Sequence, residues 1–387
     1  MIDNNMKLLH YFPTTRLTEG GTVRAAIDLC TALAERGHDV IWLTTDNQDV
    51  PQNWKDGKPN TPRVVLLGSM TKWGNRLSKE QIKLAETEIA KSDVVHIHAM
   101  WMPSNVQIAK ACKQVNTPWV LSSHGMLDDW CMEQGNLKKR LYLATNARTM
   151  IRNAALILTT AEEERRQASK WIPFDNAIAI PLIVDLAPYK TIPGHQLAQE
   201  TFGNFGNSSI LFLSRVHPKK SIETLIDSAV LLQRRGVMPH FFIAGTGEKK
   251  YVKQLQERVR RCNLEKQFSF LGMVVGEKKL SLYAMADIFA LPTQQENFGL
   301  VYPEAMLCET PVITTKGTDI WRELKDGGGA MIVDRSPEAF ASSIEELLRN
   351  DTARIQMGKN ARKHILHWLD TNRVAVEYEE MYKSVAT

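Results

Sequence analysis

Two glutamates, Glu296 and Glu304, are separated by seven residues, Asn-Phe-Gly-Leu-Val-Tyr-Pro. Carboxylates accept hydrogen bonds, so such a pair suits a hydroxyl-rich ligand or works as an acid/base couple. The Gly299 turn and Pro303 suggest a loop that opens into a helix. Upstream, Asp287-Ile-Phe-Ala-Leu-Pro-Thr293 reads as a buried strand. Strand, loop and helix N-terminus together make the place where an open α/β sheet binds anions.

Cations precede this motif. Arg215 and Lys220 lie in Ser214-Arg-Val-His-Pro-Lys-Lys-Ser221, after an apolar run and before a helical pattern. They suit a diphosphate leaving group, or form a solvated basic turn. Gly245 and Gly247 in Ala244-Gly-Thr-Gly-Glu248 allow close approach to phosphate or ribose, or simply a tight turn. Lys250 stands where a dinucleotide fingerprint needs its third glycine. The strand ending at Gly272 offers the Met273 backbone to a nucleobase edge, or only packs.

The first half carries its own candidates. Gly20-Gly21 precedes a helix and suits contact with phosphate or sugar, or a flexible N-cap. His124, in Ser122-Ser-His-Gly-Met, falls at a strand's carboxyl end. His96 and His98 alternate on an earlier strand. They could chelate a metal, but no nearby Cys or carboxylate completes a set, so they read as cleft lining or core groups. Glu162-Glu-Glu164, after Thr159-Thr160, reads as acidic residues in the first turn of a threonine-capped helix. Lys138, Lys139, Arg140, Arg148 and Arg152, with Leu141, Leu143 and Met150, read as one basic helix. It faces anionic lipid, a diphosphate-linked acceptor, or solvent.

These residues need a scaffold. A chain of 387 residues exceeds one ordinary core, so two domains are expected. Short apolar strands alternate with helices from Lys7 to Ile180, and again from Ser209 to Val333, which implies two parallel sheets with helices on both faces. The expected domains are 1–190 and 209–367, with a linker at 191–208 that contains Pro193, Gly194, Gly203 and Gly206. An aromatic tail helix at 368–387, with Trp368, Val374, Val376, Tyr378, Met381 and Tyr382, is expected to return to the first domain. With 43% hydrophobic and 24% charged residues the chain is ordinary globular protein, and its net charge of +5 suits an anionic ligand or membrane surface. No apolar run is long enough to predict a membrane span. The start lacks the order of a signal peptide. Five scattered cysteines without Cys-x-x-Cys argue against structural zinc or disulfides and for a reducing cytoplasm.

The ordered string Arg215…Lys220, Gly245–Glu248, Glu296-x7-Glu304 and Thr310-Pro-Val-Ile-Thr314 resembles the retaining glycosyltransferases of family 4, also called group 1. The resemblance covers nearly the whole chain. It implies the GT-B fold, two Rossmann-like domains facing across a cleft, with the C-terminal helix crossing back. It implies that Arg215 and Lys220 neutralise the diphosphate of a nucleotide-sugar. Glu296 would hold hydroxyls of the sugar and Glu304 the ribose. The N–H groups of Phe298, Gly299 and Leu300 would meet sugar and phosphate, and Gly20-Gly21 the diphosphate. His124 matches a family histidine near the donor sugar. Two departures stand out: Ser221 replaces the glycine that usually follows the lysine, and Lys316-Gly-Thr-Asp319 has one glycine where the family has a pair.

The activity so implied is retaining transfer of a hexose-type sugar from a UDP- or GDP-sugar to a saccharide or lipid-linked acceptor. Surface polysaccharide or glycolipid synthesis would be the setting, at the inner face of the plasma membrane. No Asp-x-Asp occurs in the chain, so no metal and no cofactor are expected, and protein cations would stabilise the leaving group. No nucleic-acid partner is expected. The alternatives are a nucleotide-sugar 2-epimerase or hydrolase of similar fold, and a binding protein without turnover. A dinucleotide dehydrogenase is disfavoured, because neither half has Gly-x-Gly-x-x-Gly.

Overall fold

The computed structural model describes residues 5–71, 74–172, 176–192, 194–203 and 208–386. The chain divides into two compact units, Met1–Asp185 with Thr371–Thr387, and Leu186–Asp370.

The first unit holds seven strands: β1 Lys7–Tyr11, β2 Asp39–Thr44, β3 Arg63–Leu66, β4 Val94–His98, β5 Trp119–Ser122, β6 Leu156–Thr159 and β7 Ala177–Ala179. They pair in the order β3-β2-β1-β4-β5-β6-β7, all parallel. Side chains alternate across the sheet and so feed two cores. Leu9, Tyr11, Ile41 and Leu43 enter one; Leu8, Val40 and Trp42 enter the other. A slip of one residue would exchange the faces, which fixes the register. Every residue of β4, Val-Val-His-Ile-His, is buried. Its two histidines, two residues apart, therefore project from the same buried face of the sheet.

The helix Thr371–Ala386 belongs to this unit. Val374, Ala375, Tyr378, Met381 and Tyr382 enter the same core as Val23, Ala26 and Leu33. Val376 points away and is 39% exposed. The tail helix starts later than its aromatic pattern suggested. Trp368 ends the preceding helix, Asp351–Trp368, and stacks on Phe298 with ring centroids 5.5 Å apart.

The second unit holds β8 Ser209–Leu213, β9 His240–Ala244, β10 Phe268–Gly272, β11 Ile288–Leu291, β12 Val312–Thr314 and β13 Ala330–Ile332. Their order, β10-β9-β8-β11-β12-β13, is again parallel. In both sheets the strand order reverses beside the first strand, between β1 and β4 and between β8 and β11, and there the loops that leave the carboxyl ends run in opposite directions.

Two expectations need correction. The segment 191–208 is not all linker. Gln196–Phe202 forms a helix whose Ala198 N–H donates to Ser281 Oγ at 2.9 Å, while that hydroxyl donates to Gly194 O at 2.6 Å. The helix thus folds onto the second unit, and its seven residues are too few to show periodicity. Pro193 and Gly206 lie outside the described residues. The basic stretch around residue 145 is two helices, Asn136–Ala144 and Arg148–Arg152, broken at Thr145, whose hydroxyl donates back to Leu141 O at 2.6 Å.

Candidate active site

In the second unit, β8 runs into a short turn, Pro218–Lys220, that buries Lys220 to 4% exposure. Lys220 Nζ sits against the Glu296 carboxylate. Burial, then Lys219 and Arg215, push the Lys220 ammonium down to about 7. The Glu296 carboxylate opposes that push by favouring the charged form. Arg215, on the same loop, is exposed.

The loop that carries Glu296 is held from both sides. Glu296 N–H donates to Gly317 O at 2.6 Å, and Glu296 O accepts from Asp319 N at 3.0 Å. The buried Asp319 carboxylate accepts from Gln295 Nε2 at 3.1 Å and from Asn297 Nδ2 at 3.0 Å. The sequence reading singled out Glu296 but gave Asp319 no task. Gly299 takes φ +65°, and a Cβ there would lie 2.7 Å from Glu296 Cγ and from the Tyr302 ring. Only glycine lets the turn close over Glu296. Phe298 is buried and anchors the loop by its stack on Trp368. Leu300 precedes the helix Val301–Leu307.

Glu304 points elsewhere. It meets Lys279 Nζ at 2.7 Å and accepts from Tyr283 OH at 3.0 Å. The two glutamates therefore have separate partners, which speaks against an acid/base couple. Gly245 and Gly247 lie against the β8 loop: a Cβ on either would fall 1.9 Å from the carbonyl oxygen of Ser214 or Val216. These glycines bring the two loops together. Met273 follows Gly272 and is 66% exposed.

In the first unit, Gly20 ends a short turn at φ +120° and Gly21 begins the helix Gly21–Glu35. His124 follows β5 and occupies the left-handed region at φ +49°. Its loop is clamped by Glu164, which is fully buried. Glu164 Oε1 accepts from Ser123 Oγ and Gly125 N–H, both at 2.6 Å. Glu164 Oε2 accepts from Thr160 N–H and Thr160 Oγ1, both at 2.7 Å. Of the three consecutive glutamates, this one acts on the His124 loop rather than only on its own helix.

Behind His124 lies a chain of rings. His98 Nδ1 is 3.1 Å from His124 Nε2, and His98 Nε2 is 3.0 Å from His10 Nδ1. His96 makes hydrogen bonds of its own, to Tyr382 OH at 2.7 Å and Ser122 Oγ at 2.6 Å, while its ring stacks on that of His98. Burial lowers the pKa of all four, His10 to about 3 and His124 to about 4, with Glu164 partly offsetting it at His124. His124 keeps part of its surface open, so the fully enclosed three hold the firmer shift. His10 was not singled out from the sequence; strand pairing alone brings it to His98. Among the described residues, nitrogens of His10, His96 and His98 lie within 4.8 Å of one another and form a candidate ion-binding set.

The chain resembles known proteins along both halves. The family model described as Glycosyltransferase Family 4 matches residues 19–187, and that described as Glycosyl transferases group 1 matches residues 200–364. The chain belongs to the group 1 glycosyltransferases. A D-inositol 3-phosphate glycosyltransferase of Kineococcus radiotolerans is 26% identical over 292 residues, 70% of this chain and 67% of that one. An uncharacterized glycosyltransferase of Methanocaldococcus jannaschii is 24% identical over 392 residues, 94% of each chain. Among solved structures, Anabaena HepE in complex with UDP aligns at TM-score 0.80 and 19% identity, over 98% of this chain and 100% of that one. Sucrose-phosphate synthase of Thermosynechococcus elongatus aligns at 0.73 and 18%, over 98% and 99%. The fold of this glycosyltransferase is thus GT-B, two Rossmann-like units of seven and six strands.

Proposed function

We propose that this glycosyltransferase transfers a hexose-type sugar, with retention and without a metal, from a UDP- or GDP-sugar to a saccharide or lipid-linked acceptor. The observation that carries the reading is the buried Lys220 against Glu296 at the carboxyl end of β8 and β11. A buried ammonium beside an exposed Arg215 supplies positive charge where a diphosphate would depart. Glu296, fixed by Asp319 and Gly299, accepts from sugar hydroxyls, and a hydroxyl ligand would loosen its contact with Lys220. The backbone N–H groups of Phe298, Gly299 and Leu300 contribute to the same anion cradle. Glu304 receives the ribose by exchanging its bonds to Lys279 and Tyr283. Met273 offers backbone to the base, and Gly245 and Gly247 shape the loop beside Lys220. Gly20 and Gly21 meet the diphosphate, and His124 orients the transferred sugar as a neutral imidazole.

The absence of Asp-x-Asp leaves the leaving group to these protein cations. HepE, which aligns over nearly the whole fold, is solved with UDP and with UDP-glucose, which favours a uridine donor.

A membrane-side acceptor fits the first unit. Arg140, Arg148, Arg152, Lys170 and Trp171 line a cavity of about 470 Å³. Leu137 and Leu141 beside it are 83% and 63% exposed. Cations with protruding leucines match the headgroup and chain of an anionic lipid. No helix among the described residues is long and apolar enough to cross a membrane. The reading places the enzyme in the cytoplasm, at the inner membrane face, in polysaccharide or glycolipid synthesis.

Thermal unfolding with UDP, GDP and ADP, and with their sugars, tests the donor. Selective stabilisation by one base, lost in Lys220→Ala, is expected. No stabilisation by any nucleoside diphosphate would overturn the reading.

A further inference from the structure

The three rings His10, His98 and His124 make two hydrogen bonds to one another, through His98 Nε2 and Nδ1. A neutral imidazole has one donor and one acceptor nitrogen. The chain therefore admits only two proton orders. Either every ring carries its proton on Nδ1, and each donates toward His124, or every ring carries it on Nε2, and each donates toward His10. Mixed orders set two protons or two lone pairs face to face.

The far end decides between them. His10 Nε2 is buried and has no hydrogen-bond partner. In the second order that nitrogen would be a buried N–H without an acceptor; in the first it is only an unused acceptor. Orphaned buried N–H groups are the rarer of the two. The same dead end means the chain has no outlet for a proton at His10, so it orders protons rather than conducting them.

We infer that His98 and His10 are positioning residues that lock His124 as its Nδ1–H tautomer, with Nε2 turned inward and Nδ1–H left to donate to a ligand oxygen. The tautomer of a histidine is set by the bond its other nitrogen makes, and here His98 makes that bond. The Glu164 clamp on Ser123 and Gly125 holds the loop in place so that the ring meets His98.

A metal is the competing use of these rings. An ion on His10, His96 and His98 would need a free lone pair from each. Both nitrogens of His96 are already bonded to Tyr382 and Ser122, and both of His98 to the other rings. Only His10 Nε2 is unengaged.

The experiment is nitrogen-15 NMR of the imidazoles in the full chain at neutral pH, for wild type, His98→Leu and His98→Gln. The lock predicts His124 as Nδ1–H in the wild type. In His98→Leu it should relax toward the Nε2–H form, while His98→Gln, whose amide still donates, should restore Nδ1–H. The effect on turnover rests on the reading of His124 given above. There kcat should fall ~10-fold to 100-fold in His98→Leu, with donor KM within about twofold, and recover partly in His98→Gln. An Nε2–H His124 in the wild type, or an unchanged tautomer in His98→Leu, would overturn the lock. So would stoichiometric zinc held by the purified protein and lost in His10→Ala. A tautomer switch without a change in kcat upholds the lock and removes His124 from the reaction instead.

Discussion

The two units solve one problem with opposite electrostatics. Each carries its candidate residue on a loop at a strand's carboxyl end, and each pins that loop with a buried carboxylate from a later element. Glu164 pins the loop of His124, and Asp319 pins the loop of Glu296. What they present differs. The first unit encloses neutral imidazoles; the second encloses an ammonium and a carboxylate. A neutral ring can orient a hydroxyl without attracting solvent ions, whereas a buried ammonium, once its half-exposed carboxylate turns to another partner, can offset the charge of a departing phosphate. The contrast teaches that burial serves two ends in one enzyme: proton order in one unit, charge in the other.

Acid should separate the units most strongly. His10, His96 and His98 are neutral when folded and protonate near pH 6.5 when unfolded. The unfolded state then binds more protons, so stability is full above about pH 6.5 and is lost as pH falls from there toward their folded values. The three together set an upper slope of about 4 kcal/mol per pH unit. Of the lowered histidines of the second unit, His217 is exposed, His364 is half-buried and only His240 is buried, beside the Ser269 hydroxyl, so that unit contributes less. Hydrogen-exchange mass spectrometry at pH 7 and 5.5, corrected for intrinsic rates, should show the first unit losing protection and the second keeping it. Equal loss in both would break the contrast.

Removing the charge is the next largest step. Lys220→Ala and Glu296→Ala should each lower sugar transfer by about 100- to 1000-fold, on the scale of losing one preorganised electrostatic group. Circular dichroism should show the fold retained. The pH dependence has a definite sign. Lys220 is pushed down to about 7, so it loses its charge as pH rises through that value, and kcat/KM for the donor should fall on the alkaline side. Steady-state rates from pH 6 to 9 test this. Turnover near wild type in Lys220→Ala would remove the assignment.

How far the sequence carried this picture depended on contact range. The Glu296–Glu304 stretch is local, and its glycine and proline punctuate it visibly. The alternation of strands and helices was equally plain, because buried parallel strands are short apolar runs. Asp319 and Glu164 were hidden, since their tasks lie 24 and 41 residues away. His10 meets His98 across 88 residues, a pairing that exists only because β1 and β4 are neighbours. The helix Gln196–Phe202 escaped notice because two turns carry no measurable period and the surrounding residues are rich in glycine.

The two carboxylate clamps can be compared directly. Glu164 accepts four bonds in full burial, while two side-chain amides are pinned by Asp319. Glu164→Ala strands two hydroxyls and two N–H groups and should cost about 4 kcal/mol, at about 1 per stranded group. Asp319→Ala should cost about 2 kcal/mol by the same reasoning. Urea unfolding measures both. A smaller loss for Glu164→Ala would show that its donors find other partners. In that case the first unit's loop is held by His98 instead.

The smallest effect concerns the one departure that the fold makes visible as strain. Ser221 sits at φ +52°, ψ +46°, between Lys220 and the helix Ile222–Arg234. A left-handed non-glycine residue costs roughly 1–2 kcal/mol, and glycine would relieve that while adding freedom to the unfolded chain worth up to about 1 kcal/mol. Ser221→Gly should therefore stabilise by ~1 kcal/mol, read as a rise in urea midpoint at constant slope. Its value lies in what it does to Lys220. If strain at Ser221 helps hold the ammonium in the buried turn, relieving it should raise donor KM while stability rises. If donor KM stays flat, the buried pair of the second unit is held by Glu296 and the packed turn alone. The strained backbone would then be a tolerated substitution for the family's glycine.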